Sequence, residues 1–275
     1  MIDCELKDRE FRQISKLVYD ICGIDLHEGK KELIKARLGK RLRKKNFRSF
    51  SEYYRYVTSE DGTDELTIMI DSISTNLTHF FREDKHFEKL KNIVSSPSFK
   101  TRRNGFSPKI TIWSAGCSTG EEPYTIAMVL AEIFPAVSEQ FKIIATDIST
   151  SVLKKASAGI YPANKVNSIP PAMLRKYFLK GHGDWEGYYR VKDILKKSVE
   201  IVRCNLKEPM TIEGSFDVIF CRNVMIYFDK QMQNLLIGRF YDYLKDGGYL
   251  FIGHSESLTG TTHRFKYIEP SVYHK

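Results

Sequence analysis

An apolar run, Ile110-Thr-Ile-Trp-Ser-Ala115, passes straight into Gly116-Cys-Ser-Thr-Gly-Glu-Glu122 and then into a stretch with helical spacing. Strand, glycine turn and helix in that order make a nucleotide-cofactor site. Gly116 and Gly120 put no Cβ between the turn and a ligand, and the free N–H groups of the turn face the space above the strand end. The charge narrows the ligand. Glu121 and Glu122 would repel a pyrophosphate, and neither a phosphate-binding lysine motif nor a G-x-G-x-x-G pattern is present. The turn suits a ligand that is cationic there, and S-adenosylmethionine (SAM), with its sulfonium and α-ammonium, fits. Phe141-Lys-Ile-Ile-Ala-Thr-Asp147 predicts the next parallel strand, after a helix over Tyr124–Phe134, and its terminal carboxylate is placed to accept from both ribose hydroxyls. A strand-end Asp serves equally well as an N-cap or turn residue, and NAD binding uses the same geometry, so these two features alone leave a dehydrogenase open.

Phe216-Asp-Val-Ile-Phe-Cys-Arg-Asn223 predicts another apolar strand ending in polar residues. Leu244 to Gly253 predicts a helix end, a Gly-Gly turn and a further strand. Four segments then carry a resemblance: Thr75-Asn-Leu-Thr-His-Phe-Phe-Arg-Glu83, Ser114-Ala-Gly-Cys-Ser-Thr-Gly-Glu-Glu-Pro-Tyr124, Cys221-Arg-Asn-Val-Met-Ile-Tyr-Phe-Asp229 and Gly253-His-Ser-Glu256. Together, in this order and over nearly the whole chain, they resemble the bacterial chemotaxis receptor glutamate O-methyltransferase family, CheR. One departure is Gly116-Cys117, where two small residues are common. The resemblance implies methyl transfer from SAM to glutamate carboxylates of chemoreceptors, leaving S-adenosylhomocysteine and a methyl ester. An ionised carboxylate, with a pKa of ~4.3, attacks without a general base. The site then needs donors that orient it, and Arg82 and Tyr227 are the candidates.

Cofactor contacts are implied in the same way. Asn76, Thr78 and Arg82 reach the methionine end, Gly116 and Glu122 belong to the turn, and Asp147 to the ribose. Asn205 and Leu206 flank the adenine after a strand over Val199–Cys204, and Arg222 with Asn223 stand at the fourth strand end. His79, His86 and His254 are scattered with no ligand companion at useful spacing, so no metal is expected.

The elements that must position these residues fall into two blocks. Residues 1–75 show helical spacing, as in Phe11, Ile14, Leu17, Val18 and Ile21, with almost no strand signal. They predict a small all-α domain. Residues 76–275 alternate strands and helices and predict a doubly wound α/β domain of the SAM-methyltransferase, Rossmann-like class. Ser72–Glu83 is the joint, His86–Val94 a short helix and Ser95–Pro108 a Pro/Gly/Ser loop. An inserted subdomain is expected over about 160–198. Within it, Lys176–Lys192 predicts a two-stranded hairpin around Gly181-x-Gly183-x-x-x-Gly187, with Trp185 and Arg190 beside the turn. Here the resemblance is to members that hold receptors by a C-terminal peptide.

Gly29–Arg48 holds ten Lys/Arg against the single acid Glu32. At about 100° per residue, Ile34, Leu38 and Leu42 share one face. Lys30, Arg37, Lys40, Arg41, Lys44 and Arg48 form a separate stripe, a candidate docking surface for an acidic partner, which the resemblance makes the glutamate-rich methylation helices of receptors. No stacking aromatic or RNA-binding signature accompanies it, so nucleic acid is not expected. A SAM-dependent enzyme acting on RNA or a small molecule would share the fold and the charge. A silent SAM-binding adaptor would keep Asp147 but lose the Arg82–Tyr227 pair, and both residues are present. The net charge of +9 agrees with an acidic partner. Five scattered cysteines without a CxxC pair indicate free thiols. No apolar run reaches the ~18 residues of a membrane span. A cytoplasmic monomer, recruited to membrane receptors without inserting, is the expectation.

Overall fold

The structure, a computed structural model, describes residues 5–99, 109–209 and 214–275. Cys4 and most of the expected Ser95–Pro108 loop lie outside the described residues.

Four helices open the chain: α1 (Asp8–Cys22), α2 (Lys31–Lys45), α3 (Phe50–Val57) and α4 (Thr63–Ile73). Each buries one apolar stripe against the others, because its large apolar side chains recur every three or four residues. In α1 the stripe is Phe11, Ile14, Val18 and Cys22, and in α2 it is Ile34, Leu38 and Leu42; all share one core with Phe50, Tyr53 and Met69. The ends are set locally. Glu10 reaches back to the Lys7 N–H at 2.9 Å, Gly23 ends α1 at φ 75°, and Ser49 caps α3 on the Glu52 N–H.

The helices α5 (Lys85–Ser95), α6 (Glu121–Ala131), α7 (Thr150–Ala158), α8 (Pro171–Tyr177) and α9 (Lys230–Tyr243) accompany a seven-stranded sheet. Its strands are β1 (Ile110–Ala115), β2 (Phe141–Asp147), β6 (Val199–Arg203), β7 (Phe216–Cys221), β8 (Leu244–Ile252), β9 (Lys266–Glu269) and β10 (Val272–His274), in the order β6-β2-β1-β7-β8-β10-β9. The first five in that order run parallel, and β10 and β9 close the edge antiparallel. Alternation along the strands divides the core. Ile110, Ile112, Val218, Phe220 and Phe251 face α5 and α6, while Trp113, Ala115, Ile219, Leu250 and Ile252 face α9. The chain leaves β1 toward β2 on one side and later returns to β7 on the other. That reversal opens a crevice above the carboxyl ends of β1, β2 and β7.

Two expected elements differ. The segment from Leu244 does not turn before its strand: α9 ends at Tyr243 and β8 starts at once, with the register against β7 jumping from Phe216–Leu244 to Val218–Tyr249. Gly247 at φ 73° and Gly248 form the bulge, and a Cβ on Gly248 would lie 2.8 Å from the Lys245 carbonyl. The inserted hairpin is also not two-stranded. β4 (Phe178–Lys180) and β5 (Tyr188–Val191) are joined by β3 (Ile160–Pro162) in the order β3-β5-β4, so β5 is central and β4 supplies a free edge. Phe80 from the joint packs edge-on against Tyr161 and Phe178, fixing this small sheet to the main body.

The helical block is bolted to the sheet. The Tyr19 hydroxyl donates to Asp229 at 2.7 Å, Lys207 Nζ to the Tyr19 and Asp20 carbonyls, and Asp71 accepts from the N–H groups of Thr150 and Ser151. Inside the block, Glu65 is 2 % exposed and accepts from Arg41 Nε at 2.9 Å, Arg41 Nη2 at 2.6 Å and the Tyr53 hydroxyl at 3.1 Å. Removing this carboxylate strands two buried donors. Glu65→Ala is expected to cost about 3 kcal/mol in urea unfolding, and Arg41→Met with Glu65→Leu to recover most of that loss. A single-variant loss under about 0.5 kcal/mol would show that the pair does not support the helical block.

Candidate active site

The turn after β1 owes its shape to β2: the N–H groups of Gly116 and Cys117 both donate to the Thr146 carbonyl at 2.8 Å. Gly116, Ser118 and Gly120 have φ values of 81°, 49° and 96°. Packing within the fold also requires both glycines. A Cβ on Gly116 would sit 2.4 Å from Val224 Cγ2, and one on Gly120 would sit 2.8 Å from the Tyr161 hydroxyl and 2.9 Å from Ala156 Cβ. Close packing of neighbouring loops sets these positions.

Nor do the two acids of the turn act together. Glu121 is buried, accepts from the Thr119 hydroxyl and lies 3.7 Å from Lys165. Glu122 faces the crevice, where its carboxylate takes the Ser114 hydroxyl at 2.7 Å and Arg222 Nη1 at 3.0 Å. Burial holds the Glu122 carboxyl above the usual range in spite of that guanidinium. Its charge is largely answered from within, so the crevice is less acidic there than the sequence suggests.

Arg222, buried at the end of β7, organises the floor. Its Nη2 donates to Glu83 Oε2 at 3.0 Å and to the Arg82 carbonyl, and its plane lies 5.2 Å from the Phe87 ring centre. Glu83 also accepts from Asn223 Nδ2 at 3.3 Å and from the His254 N–H at 3.2 Å. Burial opposes its charge, but Arg222 and these donors outweigh burial and hold the carboxyl below its ordinary value. Phe81 and Glu83 take φ values of 55° and 57°, strained backbone that these contacts maintain. A second carboxylate supports the next loop. Glu256 accepts from the N–H groups of Gly253, Asn223, Val224 and Ile226 at 2.6, 2.9, 2.9 and 3.3 Å. Neither Glu83 nor Glu256 has a role in the sequence reading, although both close motifs quoted there.

Around this floor the crevice measures about 1200 Å³ including its open mouth. Asn76, Thr78, Arg82, Gly116, Glu122, Asp147, Asn205, Leu206, Arg222, Asn223 and Tyr227 all line it. Asp147 accepts from the Ser118 and Ser149 N–H groups at 2.9 Å each, and burial nevertheless raises its carboxyl above the ordinary range. Asn205 spends its amide on the Ile21 carbonyl at 2.7 Å and on Glu208 at 2.9 Å, tying α1 to the wall. Arg82 Nη1 donates to the Leu77 carbonyl at 2.9 Å, and the Tyr227 carbonyl accepts the Asp25 N–H at 2.8 Å.

The basic stripe does not survive as one surface. Arg37 donates to the carbonyls of Ile73 and Ser74, and Arg41 is committed to Glu65. Lys40, Lys44 and Arg48 are exposed, while Lys30 lines the crevice. The hairpin residues Gly181, Gly183, Trp185, Gly187 and Arg190 lie on the small sheet outside the crevice lining. Gly181 is needed because a Cβ would lie 2.0 Å from the Trp185 carbonyl, and Arg190 lies 3.9 Å from Asp193.

The histidines were expected to be scattered, but the fold gathers two of them: the ligand atoms of Glu83, His86 and His254 lie within 4.8 Å of one another. His86 is 2 % exposed with neither ring nitrogen hydrogen-bonded, and its ring stands edge-on to His254 at 4.6 Å. Spacing along the chain gives no sign of this group because His254 arrives from the far end.

Comparison with known proteins agrees with this architecture. Residues 9–74 match the family model described as "CheR methyltransferase, all-alpha domain", and residues 76–274 match "CheR methyltransferase, SAM binding domain". A chemotaxis protein methyltransferase of Borreliella burgdorferi is 45% identical over 269 residues, covering 97% of this chain and 94% of that protein. One of Escherichia coli is 40% identical over 269 residues, covering 98% and 91%. Among solved structures, a SAM-dependent methyltransferase from Methanosarcina mazei superposes with a TM-score of 0.31 at 17% identity over 55% of each chain.

The buried imidazole makes stability depend on pH. Burial first, and repulsion from Arg222 second, push His86 down to about 3 from an ordinary 6.5. Between those values the unfolded chain binds a proton that the folded chain refuses, so this contribution is complete above pH 6.5 and is lost as pH falls toward 3. Unfolding free energy is expected to drop by up to ~1.4 kcal/mol per pH unit below that point from this residue. Urea titrations between pH 7.5 and 5 should show a flatter slope in His86→Leu. Identical slopes in variant and parent would mean that His86 takes up its proton in the folded state.

Proposed function

The chain belongs to the CheR methyltransferase family and is a SAM-dependent methyltransferase; from that premise we propose that it esterifies glutamate side chains of chemoreceptors. The observation that carries this reading is the crevice itself: a strand-end carboxylate, Asp147, lines it together with Arg82 and Tyr227. The wall residues suit SAM. Asp147 is an acceptor facing the crevice for two ribose hydroxyls, Leu206 offers an apolar wall to an adenine, and no phosphate cradle competes. Glu122, Asn76 and Thr78, which line the same crevice, suit the amino-acid end, with Arg222 and Asn223 also in the lining.

When bound, SAM supplies an electrophilic methyl on a sulfonium. The acceptor carboxylate, ionised at neutral pH, donates an oxygen lone pair to that carbon, and the C–S electrons return to sulfur as a neutral thioether. No proton moves, so the chain need not supply a base. Arg82 and Tyr227 orient the carboxylate, and the helical block keeps Tyr227 in place through its carbonyl. Alignment of this kind contributes roughly 7–11 kcal/mol in well-oriented systems. Tritiated-methyl transfer from SAM into membranes bearing receptors, followed by release of methanol in base, tests the reading; base-stable label would point to nitrogen or sulfur acceptors.

Two surfaces suit the receptor. Lys40 and Lys44 offer positive charge to acidic methylation helices, whereas Arg37 and Arg41 work inside the fold. The free edge of β4, with Leu179, Trp185 and Tyr188 exposed, suits a receptor C-terminal peptide added as a fourth strand. Tethering of that kind raises the effective concentration of receptor tails.

Asp147→Ala is expected to weaken SAM binding by about 1–3 kcal/mol in calorimetry, and Tyr227→Phe to lower turnover with SAM affinity intact. Unchanged SAM affinity in folded Asp147→Ala removes the ribose assignment.

With a receptor fragment lacking its tail, Lys40→Glu with Lys44→Glu should raise KM by about tenfold and steepen no other constant. Trp185→Ala should weaken binding of the isolated tail peptide without altering that KM. A peptide that binds the variant as tightly as the parent would make the small sheet a structural element only.

A further inference from the structure

Lys30 closes the short helical turn Glu28–Lys30, just before α2, where its N–H donates to the His27 carbonyl at 2.9 Å. Its side chain leaves the basic face of α2 and enters the crevice wall, with Nζ 5.4 Å from the centre of the Tyr227 ring. The other cations near the crevice are committed. Arg222 is held by Glu83 and Glu122, Lys165 lies beside Glu121 and donates to the Thr78 carbonyl, and Arg82 donates to the Leu77 carbonyl. Lys30 forms no ion pair with any described residue. A half-buried ammonium that lines the crevice over an aromatic face, with no ion-pair partner among the described residues, suits an anion. Two apolar residues that line the crevice with it are exposed: Leu33 is 39% and Leu77 76% accessible. A small anion would leave them bare, whereas an acidic helix of a protein substrate would cover them.

We propose that Lys30 binds the acceptor carboxylate, so that the helical block contributes a substrate-binding side chain to the active site; this rests on the esterification reading above. The ammonium takes one carboxylate oxygen while Tyr227, whose ring it overlies, addresses the same group, and the second oxygen keeps its lone pair for the methyl. The division of labour follows from charge. Arg82, with one of its donors already spent on the Leu77 carbonyl, helps to orient the group, and Lys30 supplies the positive charge that selects an anionic acceptor over its neutral amide counterpart. Loss of that charge is therefore read first in acceptor binding. Lys30 also explains why the two blocks are fastened so near this point: Asp25 N–H holds the Tyr227 carbonyl, and Ile24 bridges Phe228, only a few residues upstream of the lysine.

The experiment uses the full chain and a purified receptor cytoplasmic fragment. Binding of the fragment to enzyme saturated with S-adenosylhomocysteine is measured by calorimetry, and methyl transfer is measured separately. Lys30→Met is expected to weaken fragment binding and raise KM at least tenfold, with SAM affinity within twofold of the parent; Lys30→Arg should restore most of both. A fragment in which the acceptor glutamates are glutamines should bind the parent more weakly and should bind Lys30→Met no worse than the glutamate form does. Parent-like fragment affinity in Lys30→Met overturns the proposal, as does a matching loss of SAM affinity, which would place Lys30 on the cofactor wall. Absence of base-labile label with the parent counts against esterification, whereas the calorimetric comparison bears on Lys30 alone.

Discussion

The buried guanidinium of Arg222 is the constraint on which the site depends. A cation taken out of water at a strand end is tolerated only if carboxylates meet it, and here Glu83 comes from the joint and Glu122 from the first turn of α6. Three parts of the chain are thereby drawn to one point. The strained backbone at Phe81 and Glu83 follows, because the loop must present both the Arg82 carbonyl and the Glu83 carboxylate to the same guanidinium. So does the electrostatic character of the crevice, in which an apparent excess of acid is already matched by an internal cation. His86 belongs to the same balance, since burial first and repulsion from Arg222 second hold it below its ordinary value.

The loop after β7 is held with similar redundancy. Glu256 gathers four N–H groups from above, while the segment between α1 and α2 grips the same loop from the helical block through Asp25 and Ile24. Val224 packs so closely on Gly116 that a Cβ there would lie 2.4 Å from its Cγ2, which ties the turn after β1 to the loop after β7. Tyr227 is thus positioned by the hydrogen bonds of its loop, its own carbonyl included, and by Lys30 over its ring.

The helical block has a comparable economy. Along and just before its second helix runs a series of cations, of which Arg41 serves the buried Glu65, Arg37 clasps the end of α4, Lys30 turns into the crevice, and Lys40 and Lys44 are exposed. One stretch of chain therefore contributes to stability, to the joint and to the crevice at different residues.

Much of this protein was legible in one dimension. The 3.6-residue spacing of Ile34, Leu38 and Leu42, the alternation in the strands, the glycine turn and the terminal Asp147 are local patterns, and each dictates local structure through backbone geometry and side-chain direction. The family motifs carried the candidate site residues, and the crevice gathers them. What the sequence could not supply were partners far apart along the chain. Glu83 and Arg222 are 139 residues apart, and nothing in the spacing of either announces the other. The same holds for Arg41 with Glu65, for β3 joining the hairpin, for His86 meeting His254, and for Gly116 yielding to Val224. Burial and contact decide whether a charge is a surface feature or a structural tie, and only the folded chain sets which residues are buried and against what.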